Sequence, residues 1–156
     1  MKYDQMIDHY ESFKIWLEEL KLLSEYEWFR PIEEGKWSIA ANIAHIIRWD
    51  QYSLQEILPH VAEGVELSPF PDFQKFNGQA EEYAHRVVNQ EDLIEEGIKT
   101  RDRMITYVKS LSEDDVDQSF KVGEQSFTLK EFFEDFIGHD KHHQEQIEEV
   151  VSAERV

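Results

Sequence analysis

TLKEFFEDFIGHDKHHQEQIEEVV, residues 128–151, is the stretch that decides the fold of this chain. Thr128 and Glu131 have the spacing of a capping box, which opens an α-helix. The apolar side chains that follow recur at intervals of three and four residues, as on one face of a helix that runs to about Val151. They are Leu129, Phe132, Phe133, Phe136, Ile147, Val150 and Val151. A long helix with one apolar face predicts packing against other helices in a bundle.

Two histidines of this stretch, His139 and His143, lie one helical turn apart on or beside the apolar face. His142 points away from it. Two imidazoles at this spacing, joined by a third from another helix, make a site for a divalent metal, and three protein ligands leave one coordination position open. The alternative is a helix whose C-terminal half is simply enriched in histidine, which the helix dipole tolerates. The pair therefore predicts a metal site but does not fix its third ligand.

Three further long helices are predicted from the same periodicity. The first covers roughly the first 24 residues. Ser38 is a suitable N-cap for a second helix that ends near Leu58, and Asn89 for a third that has Asp92 in its first turn and continues to Leu111. Together with the last helix, these predict an all-α fold, a four-helix bundle.

The chain between the second and third helices is expected to form a long crossover loop. Residues 60–77 contain Gly64, Pro69 and Pro71, which favour a loop. The phenylalanines of the same segment indicate that this loop packs against the bundle. A shorter helical piece follows over about residues 79–88. Before the last helix, residues 120–127 alternate in polarity around a glycine, which predicts a small hairpin or an extended loop.

The composition limits the functions that the chain can have. Its 156 residues, 40% of them hydrophobic, fit a single domain over residues 1–156 with a substantial core. A net charge of −18 disfavours nucleic acid as a partner, because the phosphates would be repelled. No apolar run approaches the ~20 residues of a membrane span, and no signal peptide is visible, so we expect a cytoplasmic protein without a membrane partner. The absence of cysteine excludes disulfides, thiolate ligands and a cysteine nucleophile.

The third metal ligand stays open when only the residues are considered. His45 lies on the second helix, away from its aliphatic stripe and near Trp49, so that it could face a groove between helices. Periodicity does not select it over His9, His60 or His85. We expect these last three histidines at the surface or partly packed, since none of them is paired with another candidate ligand.

Two acidic residues, Asp50 and Asp140, fall within the apolar stripes of their helices. An ionised carboxylate at such a position is costly unless it is paired. The functional hypothesis is that they accept a hydrogen bond from the N–H of a ligand imidazole or act as a base beside metal-bound water. The alternative is a structural ion pair with Arg48, Arg101 or Arg103, or a bond from a tryptophan N–H.

Two segments of the chain resemble a known family. The two segments are residues 35–50, GKWSIAANIAHIIRWD, and residues 139–147, HDKHHQEQI. Their residues, and their order along the chain, resemble motifs of the DinB-like (damage-inducible) superfamily of metalloenzymes. That superfamily also holds transferases and isomerases that depend on bacillithiol or mycothiol. The resemblance covers nearly the whole chain, from the first helix to the last.

The resemblance implies a DinB-like four-helix bundle with a three-histidine site for zinc or nickel, often in a homodimer. Matched by motif, the ligands would be His45, His139 and His143. The family name does not imply DNA binding here, because the acidic charge argues against it.

A metal held by three neutral imidazoles keeps its positive charge and can activate water or a thiol. Since the chain has no cysteine, a sulfur nucleophile must come from a low-molecular-weight thiol. We therefore expect an enzyme that transfers such a thiol to a small electrophile, or a hydrolase of a small substrate, with Asp50 or another nearby acid taking the proton.

Two alternatives to an enzyme remain. One is a non-catalytic bundle of the stress-response type that binds a metal or small ligand, in which a fourth protein ligand would close the site. The other is a degenerate family member without metal, in which His139 and His143 would lie too far from His45 to share an ion.

Overall fold

The computed structural model describes residues 2–154, and these fold mainly into helices. The α-helices are α1 (Tyr3–Glu19), α2 (Glu25–Phe29), α3 (Ile39–Tyr52), α4 (Phe73–Glu82), α5 (Gln90–Lys109) and α6 (Leu129–Glu154). The long helix α5 packs against α1 and α3, and α6 packs against the same two helices. The predicted four-helix bundle is therefore confirmed. Within residues 2–154, no helix combines the length and the apolar character that a membrane crossing requires.

The starts that the sequence predicts for α3, α5 and α6 are those observed. The side chain of Ser38 caps α3 and that of Asn89 caps α5, each accepting a hydrogen bond from the backbone N–H three residues later, at 3.0 and 2.8 Å. At the start of α6, Thr128 Oγ1 accepts from the Glu131 N–H at 3.1 Å, while Glu131 Oε1 accepts from the Thr128 N–H at 2.8 Å. This reciprocal capping satisfies backbone donors that have no partner inside the helix.

The crossover between α3 and α5 is more ordered than the sequence predicts. Helix α4 begins at Phe73 because the side chain of Asp72 accepts a hydrogen bond from the Lys75 N–H at 2.9 Å. The prediction of a loop is therefore wrong for residues 73–77. Prolines 69 and 71 favour a loop locally, but they precede the cap and do not prevent the helix from starting.

The helix before the crossover, α3, and the helix within it, α4, both end in turns that are not α-helical. Helix α3 continues into a π-helical turn, Ser53–Ile57, and a 3₁₀ turn, Leu58–His60. Helix α4 likewise continues into a π-helical turn, Tyr83–Val87. Together these turns account for the predicted extension of the second helix to Leu58 and of the short helix to Val88.

A small sheet attaches the crossover to the start of α6. Strands β2 (Ser119–Val122) and β3 (Gln125–Thr128) form the predicted hairpin, and β1 (Glu66–Leu67), from the crossover, pairs with β2 in parallel. The hairpin turn contains Gly123, whose φ of +60° is an angle that glycine adopts more readily than other residues. A Cβ added at this position would lie 3.1 Å from Pro69. The hairpin and the crossover are therefore in close contact.

A layer of polar side chains divides the apolar core into two clusters. One cluster contains Leu17, Ile47 and Ile94, and the other contains Leu54, Met104 and Phe133. The residues between them along three of the helices are Asp50 on α3, Arg101 on α5 and Asp140 on α6, and His9 on α1 joins this group through its contact with Asp140. We call these four residues the polar layer. It places charged groups at the centre of the bundle, at the level of the histidine pair on α6.

Candidate metal centre

Three histidines meet between α3 and α6. His139 Nε2 lies 3.1 Å from His45 Nε2 and 3.0 Å from His143 Nε2. Each histidine offers one nitrogen, and these three nitrogens lie within 4.8 Å of one another. Ligands about 2.1 Å from one ion are themselves about 3 Å apart. The spacing therefore fits a shared ion, and it disagrees with the alternative in which the histidines lie too far apart.

Asn77 fixes the protonation of the His45 ring. Asn77 Oδ1 lies 2.9 Å from Trp49 Nε1 and 2.9 Å from His45 Nδ1. The indole nitrogen can only donate, so the amide atom that it contacts must be the oxygen. His45 Nδ1 therefore donates to the same oxygen, and in the neutral ring His45 Nε2 carries a lone pair.

Asn42, which lies about one helical turn before His45 on α3, fixes the protonation of the His143 ring in the same way. The Asn42 Nδ2 group donates to the backbone carbonyl of Ser38 at 2.9 Å, which turns Asn42 Oδ1 towards His143 Nδ1 at 2.7 Å. His143 Nδ1 is therefore the donor, and its Nε2 is left with a lone pair. A second hydrogen bond of this kind is the usual way in which proteins orient a histidine that binds a metal.

The three rings are held in their neutral form. Burial lowers the pKa of His45 to about 4, with a contribution from His139. Burial and the neighbouring His139 and His45 lower the pKa of His143 to about 3. The pKa of His139, the most exposed of the three, is also lowered, chiefly by burial. At neutral pH the site therefore presents unprotonated imidazoles.

The donor set fits a cation. His45 Nε2 and His143 Nε2 both direct lone pairs at His139 Nε2, and that atom can supply only one hydrogen. At most one of the two short contacts can therefore be a hydrogen bond. Three imidazoles without thiolates suit zinc, nickel and related divalent metals.

A cleft of about 390 Å³ opens beside His45 and His139. Its walls are mostly aromatic, with Trp49 from α3, Phe136 from α6 and further phenylalanines from the crossover and the hairpin. No fourth histidine or carboxylate joins the three histidines among residues 2–154. The arrangement therefore leaves room for a small molecule next to the histidine nitrogens.

The comparisons with known proteins agree with this geometry. The family model of the DinB superfamily matches residues 9–147. The chain belongs to the DinB superfamily. This confirms the family that the two motifs indicated, and the matched region includes all three histidines.

A solved structure shows the same fold for this DinB-superfamily chain. It is YfiT from Bacillus subtilis, described as a probable metal-dependent hydrolase with an unusual four-helix bundle topology. The TM-score is 0.80 at 14% sequence identity, and the alignment covers 97% of this chain and 87% of YfiT. At this identity the likeness shows the fold. Among curated proteins, none matches the sequence significantly.

The two acids predicted from the apolar stripes, Asp50 and Asp140, both face Arg101. Arg101 donates to Asp140 from Nη1 at 2.6 Å and from Nη2 at 2.9 Å. Its Nη2 also lies 2.9 Å from Asp50 Oδ2, although this contact lacks the angle of a hydrogen bond. Within residues 2–154, neither carboxylate is hydrogen-bonded to the three site histidines. The structure thus contains the ion pair that was the alternative, and a role as base stays a prediction.

The two carboxylates differ in their electrostatics. Burial raises the pKa of Asp140, but Arg101 and a hydrogen bond from His9 Nε2 at 2.9 Å outweigh it, so that the pKa is lowered overall. Burial raises the pKa of Asp50 to about 7 despite the nearby Arg101. Asp140 is therefore a fixed negative charge, and Asp50 is the more easily protonated member of the pair.

The remaining histidines lie apart from the metal centre. His60 and His142 are exposed, as expected, and His85 is an exposed residue whose Nε2 lies 2.7 Å from Ser38 Oγ. His9 is partly packed, also as expected, but it contacts Asp140 in the polar layer.

The sequence did not reveal the two asparagines. The helical spacing places Asn42 near His45 on α3, but it does not indicate that Asn42 contacts His143. Asn77 lies in the segment that was predicted to be a loop, and no periodicity connects it with His45. The carboxylate of Asp135, which lines the cleft one turn before His139, was also missed. Its spacing from His139 was the available signal.

Proposed function

We propose that this protein is a divalent-metal-dependent enzyme that acts on a small molecule in the cleft beside His45 and His139. The observation that carries the proposal is the convergence of three unprotonated imidazole nitrogens, with two of the rings fixed through their other nitrogen by Asn42 and Asn77. A merely structural group of histidines does not need this control of protonation. YfiT, which shares the fold, is described as a metal-dependent hydrolase, and this supports the same class of chemistry.

His45, His139 and His143 would hold the ion, and zinc or nickel would suit these nitrogen ligands. When bound, such an ion lowers the pKa of a nucleophile and polarises a substrate oxygen. The chain contributes the orientation of the rings through the two asparagines, and it places a cleft with mostly aromatic walls beside them. Because three residues rather than four make up the group, a coordination position is available to substrate.

The nucleophile would be water or a low-molecular-weight thiol. Hydrolysis needs only water and a substrate with a scissile bond, as the description of YfiT suggests for that protein. Thiol transfer needs an external thiol, because the chain has no cysteine. Both reactions use the same ligands and the same cleft, so we propose them as two forms of one chemistry that an assay must separate.

Asp135 is the carboxylate best placed to accept a proton from the nucleophile. It lines the cleft together with His45 and His139. Asp140, by contrast, is occupied by Arg101 and His9, and Asp50 lies beside Arg101. The hypothesis of Asp50 or Asp140 as base is tested against Asp135 by replacing each of the three with asparagine.

The metal is tested by measuring metal content on protein purified without a histidine tag, by inductively coupled plasma mass spectrometry. We expect about one zinc or nickel ion per chain, and loss of that ion in His143→Ala. The matched control is His142→Ala, which removes the neighbouring exposed histidine and should keep the ion. A folded wild type that takes up neither zinc nor nickel would overturn the proposal.

The reaction is tested with metal-loaded protein and two probes. Release of 4-nitrophenolate from 4-nitrophenyl acetate would identify hydrolysis, and coupling of free cysteine to 1-chloro-2,4-dinitrobenzene would identify thiol transfer. A metal-loaded protein that is inactive with these and related substrates would favour the non-catalytic binding bundle. The homodimer that the resemblance implies also stays a prediction, which sedimentation velocity would check.

A further inference from the structure

The cleft beside the metal centre has a composition that restricts its ligand. Four phenylalanines and a tryptophan make up half of its lining residues: Trp49, Phe70, Phe73, Phe127 and Phe136. Its volume of about 390 Å³ is of the size that proteins use for small ligands. The cleft therefore suits a small, largely apolar molecule.

The aromatic rings are arranged for contact with a ligand. Trp49 is almost fully buried, and its ring centroid lies 5.4 Å from that of Phe73 and 6.0 Å from that of Phe70. Phe73 is 54% exposed although it stands at the first position of α4, where a polar side chain would serve the helix equally well. Planar groups pack well against such rings in offset or edge-on arrangements.

The charge of the cleft argues against an anionic ligand. Asp135 is the only charged side chain among the described residues that line the cleft, and no lysine or arginine lines it. The chain as a whole carries a net charge of −18. In the metal-free protein a carboxylate or phosphate would therefore enter against both the local and the overall field, whereas a bound divalent ion would offset part of this repulsion.

Asn77 offers a polar group to a ligand in the cleft. Asn77 Oδ1 accepts from His45 and Trp49, so the other arm of the amide, Nδ2, is available to donate. Asn77 lines the cleft next to His45. A carbonyl oxygen bound by this group would lie close to the metal ligands.

We propose that the substrate is a small, uncharged carbonyl compound whose planar or aromatic ring packs against Trp49 and Phe73, with its oxygen bound by Asn77. The inference rests on the proposed function for the role of the metal, but ring binding by the cleft does not itself require the ion. A second copy of this chain or another protein could also cover Phe73, and the test includes that outcome.

The test compares three probes in nuclear magnetic resonance titrations of the full chain. Benzamide has the ring and the carbonyl, benzoate has the same ring with a negative charge, and acetamide has the carbonyl without the ring. We expect benzamide to bind at least about tenfold more tightly than either of the others. Equal binding of benzoate and benzamide, or of acetamide and benzamide, would overturn the proposal.

Phe73→Ala should weaken benzamide binding by about tenfold, since it removes one wall of the cleft and places alanine, a good helix former, in α4. The matched control is Leu22→Ala, which removes another exposed apolar side chain outside the cleft and should leave binding unchanged. If Phe73→Ala instead converts a dimer to a monomer in sedimentation velocity, and benzamide does not bind, the cleft is an interface and the proposal is wrong.

The titrations are repeated on chelator-treated and zinc-loaded protein. Benzamide binding in protein that never takes up zinc would support the cleft and contradict the metal function. Zinc uptake without selective benzamide binding would contradict the cleft and leave the metal function in place. The two proposals can therefore fail separately.

Discussion

Arg101 on α5 reaches across the bundle to bind both carboxylate oxygens of Asp140 on α6, at 2.6 and 2.9 Å. Asp140 lies between the two site histidines of α6, directly after His139 and three residues before His143. A helix turned by one residue would rotate these histidines by about 100°. The ion pair therefore ties the rotation of α6, and with it the direction of the two proposed metal ligands His139 and His143, to α5 across the core.

Arg101→Met should destabilise the protein by about 3–5 kcal/mol, because it leaves Asp140 and Asp50 buried without their cation. Chemical denaturation measures the change in the free energy of unfolding. The matched control is Arg103→Met on the same helix, an exposed position where we expect a change within about 0.5 kcal/mol. Similar losses in the two variants would show that the buried pair has no special role.

Asn77→Ala should weaken zinc binding about 10–100-fold, since it removes the hydrogen bond that holds His45 in the metal-binding tautomer. Competition with a chromophoric chelator measures the affinity. Gln74→Ala, at an exposed position of the same helix, should leave it unchanged. An unchanged affinity in Asn77→Ala would mean that the ring keeps its orientation without the amide.

The metal-free protein should lose stability as the pH falls below about 6.5. The pKa values of His45 and His143 are about 4 and about 3 in the folded protein, below the usual value of 6.5, so the unfolded chain takes up protons first. The stabilising contribution is complete above pH 6.5 and is lost progressively towards pH 4. Each ring should contribute about 2 kcal/mol of this loss between pH 8 and pH 5.

Denaturation curves across this pH range test the expectation, with the double variant His45→Gln, His143→Gln as reference. The carboxylates titrate in both proteins, so the difference between them isolates the two rings. If the wild type and the double variant lose stability in parallel, the two histidines are not held neutral in the folded state.

Gly123→Ala should destabilise the protein by about 1–2 kcal/mol, because residue 123 has a positive φ that other L-residues adopt at a cost. The added Cβ would also press on Pro69 of the crossover. Hydrogen exchange of the Lys121 N–H, which donates to Val65 O at 2.9 Å, would report loosening of the strand pair. Gly78→Ala, where an added Cβ meets nothing within 4 Å, is the control and should not loosen it.

The parts of the fold that depend on local sequence could be predicted. The capping box at Thr128, the N-caps at Ser38 and Asn89 and the hairpin before α6 all follow from residues within a few positions of one another. The spacing of His139 and His143 likewise placed both rings on adjoining turns of one helix.

The features that depend on how helices meet could not be predicted from the residues. His45 became the third candidate only through the family resemblance, because it lies away from the aliphatic stripe of its own helix. Asn77 contacts His45 from α4, and the two prolines before this helix led to the prediction of a loop there. The choice of Arg101 as the partner of both Asp50 and Asp140, rather than Arg48 or Arg103, also depended on the packing of α5 between α1 and α3.

The parallel pairing of β1 with β2 holds together two connections that form cleft wall, and these are distinct from the helices that carry the site histidines. The three site histidines stand on α3 and α6, whereas much of the cleft wall comes from the crossover and the hairpin, which this strand pair joins to each other. Sequence change in those two connections can therefore reshape what the cleft accepts while the three histidines stay in place. A family built in this way can acquire new substrates by exchanging its connections and retaining its bundle, and a protein engineer can follow the same route by grafting residues 66–73 and 119–128 from one relative onto another.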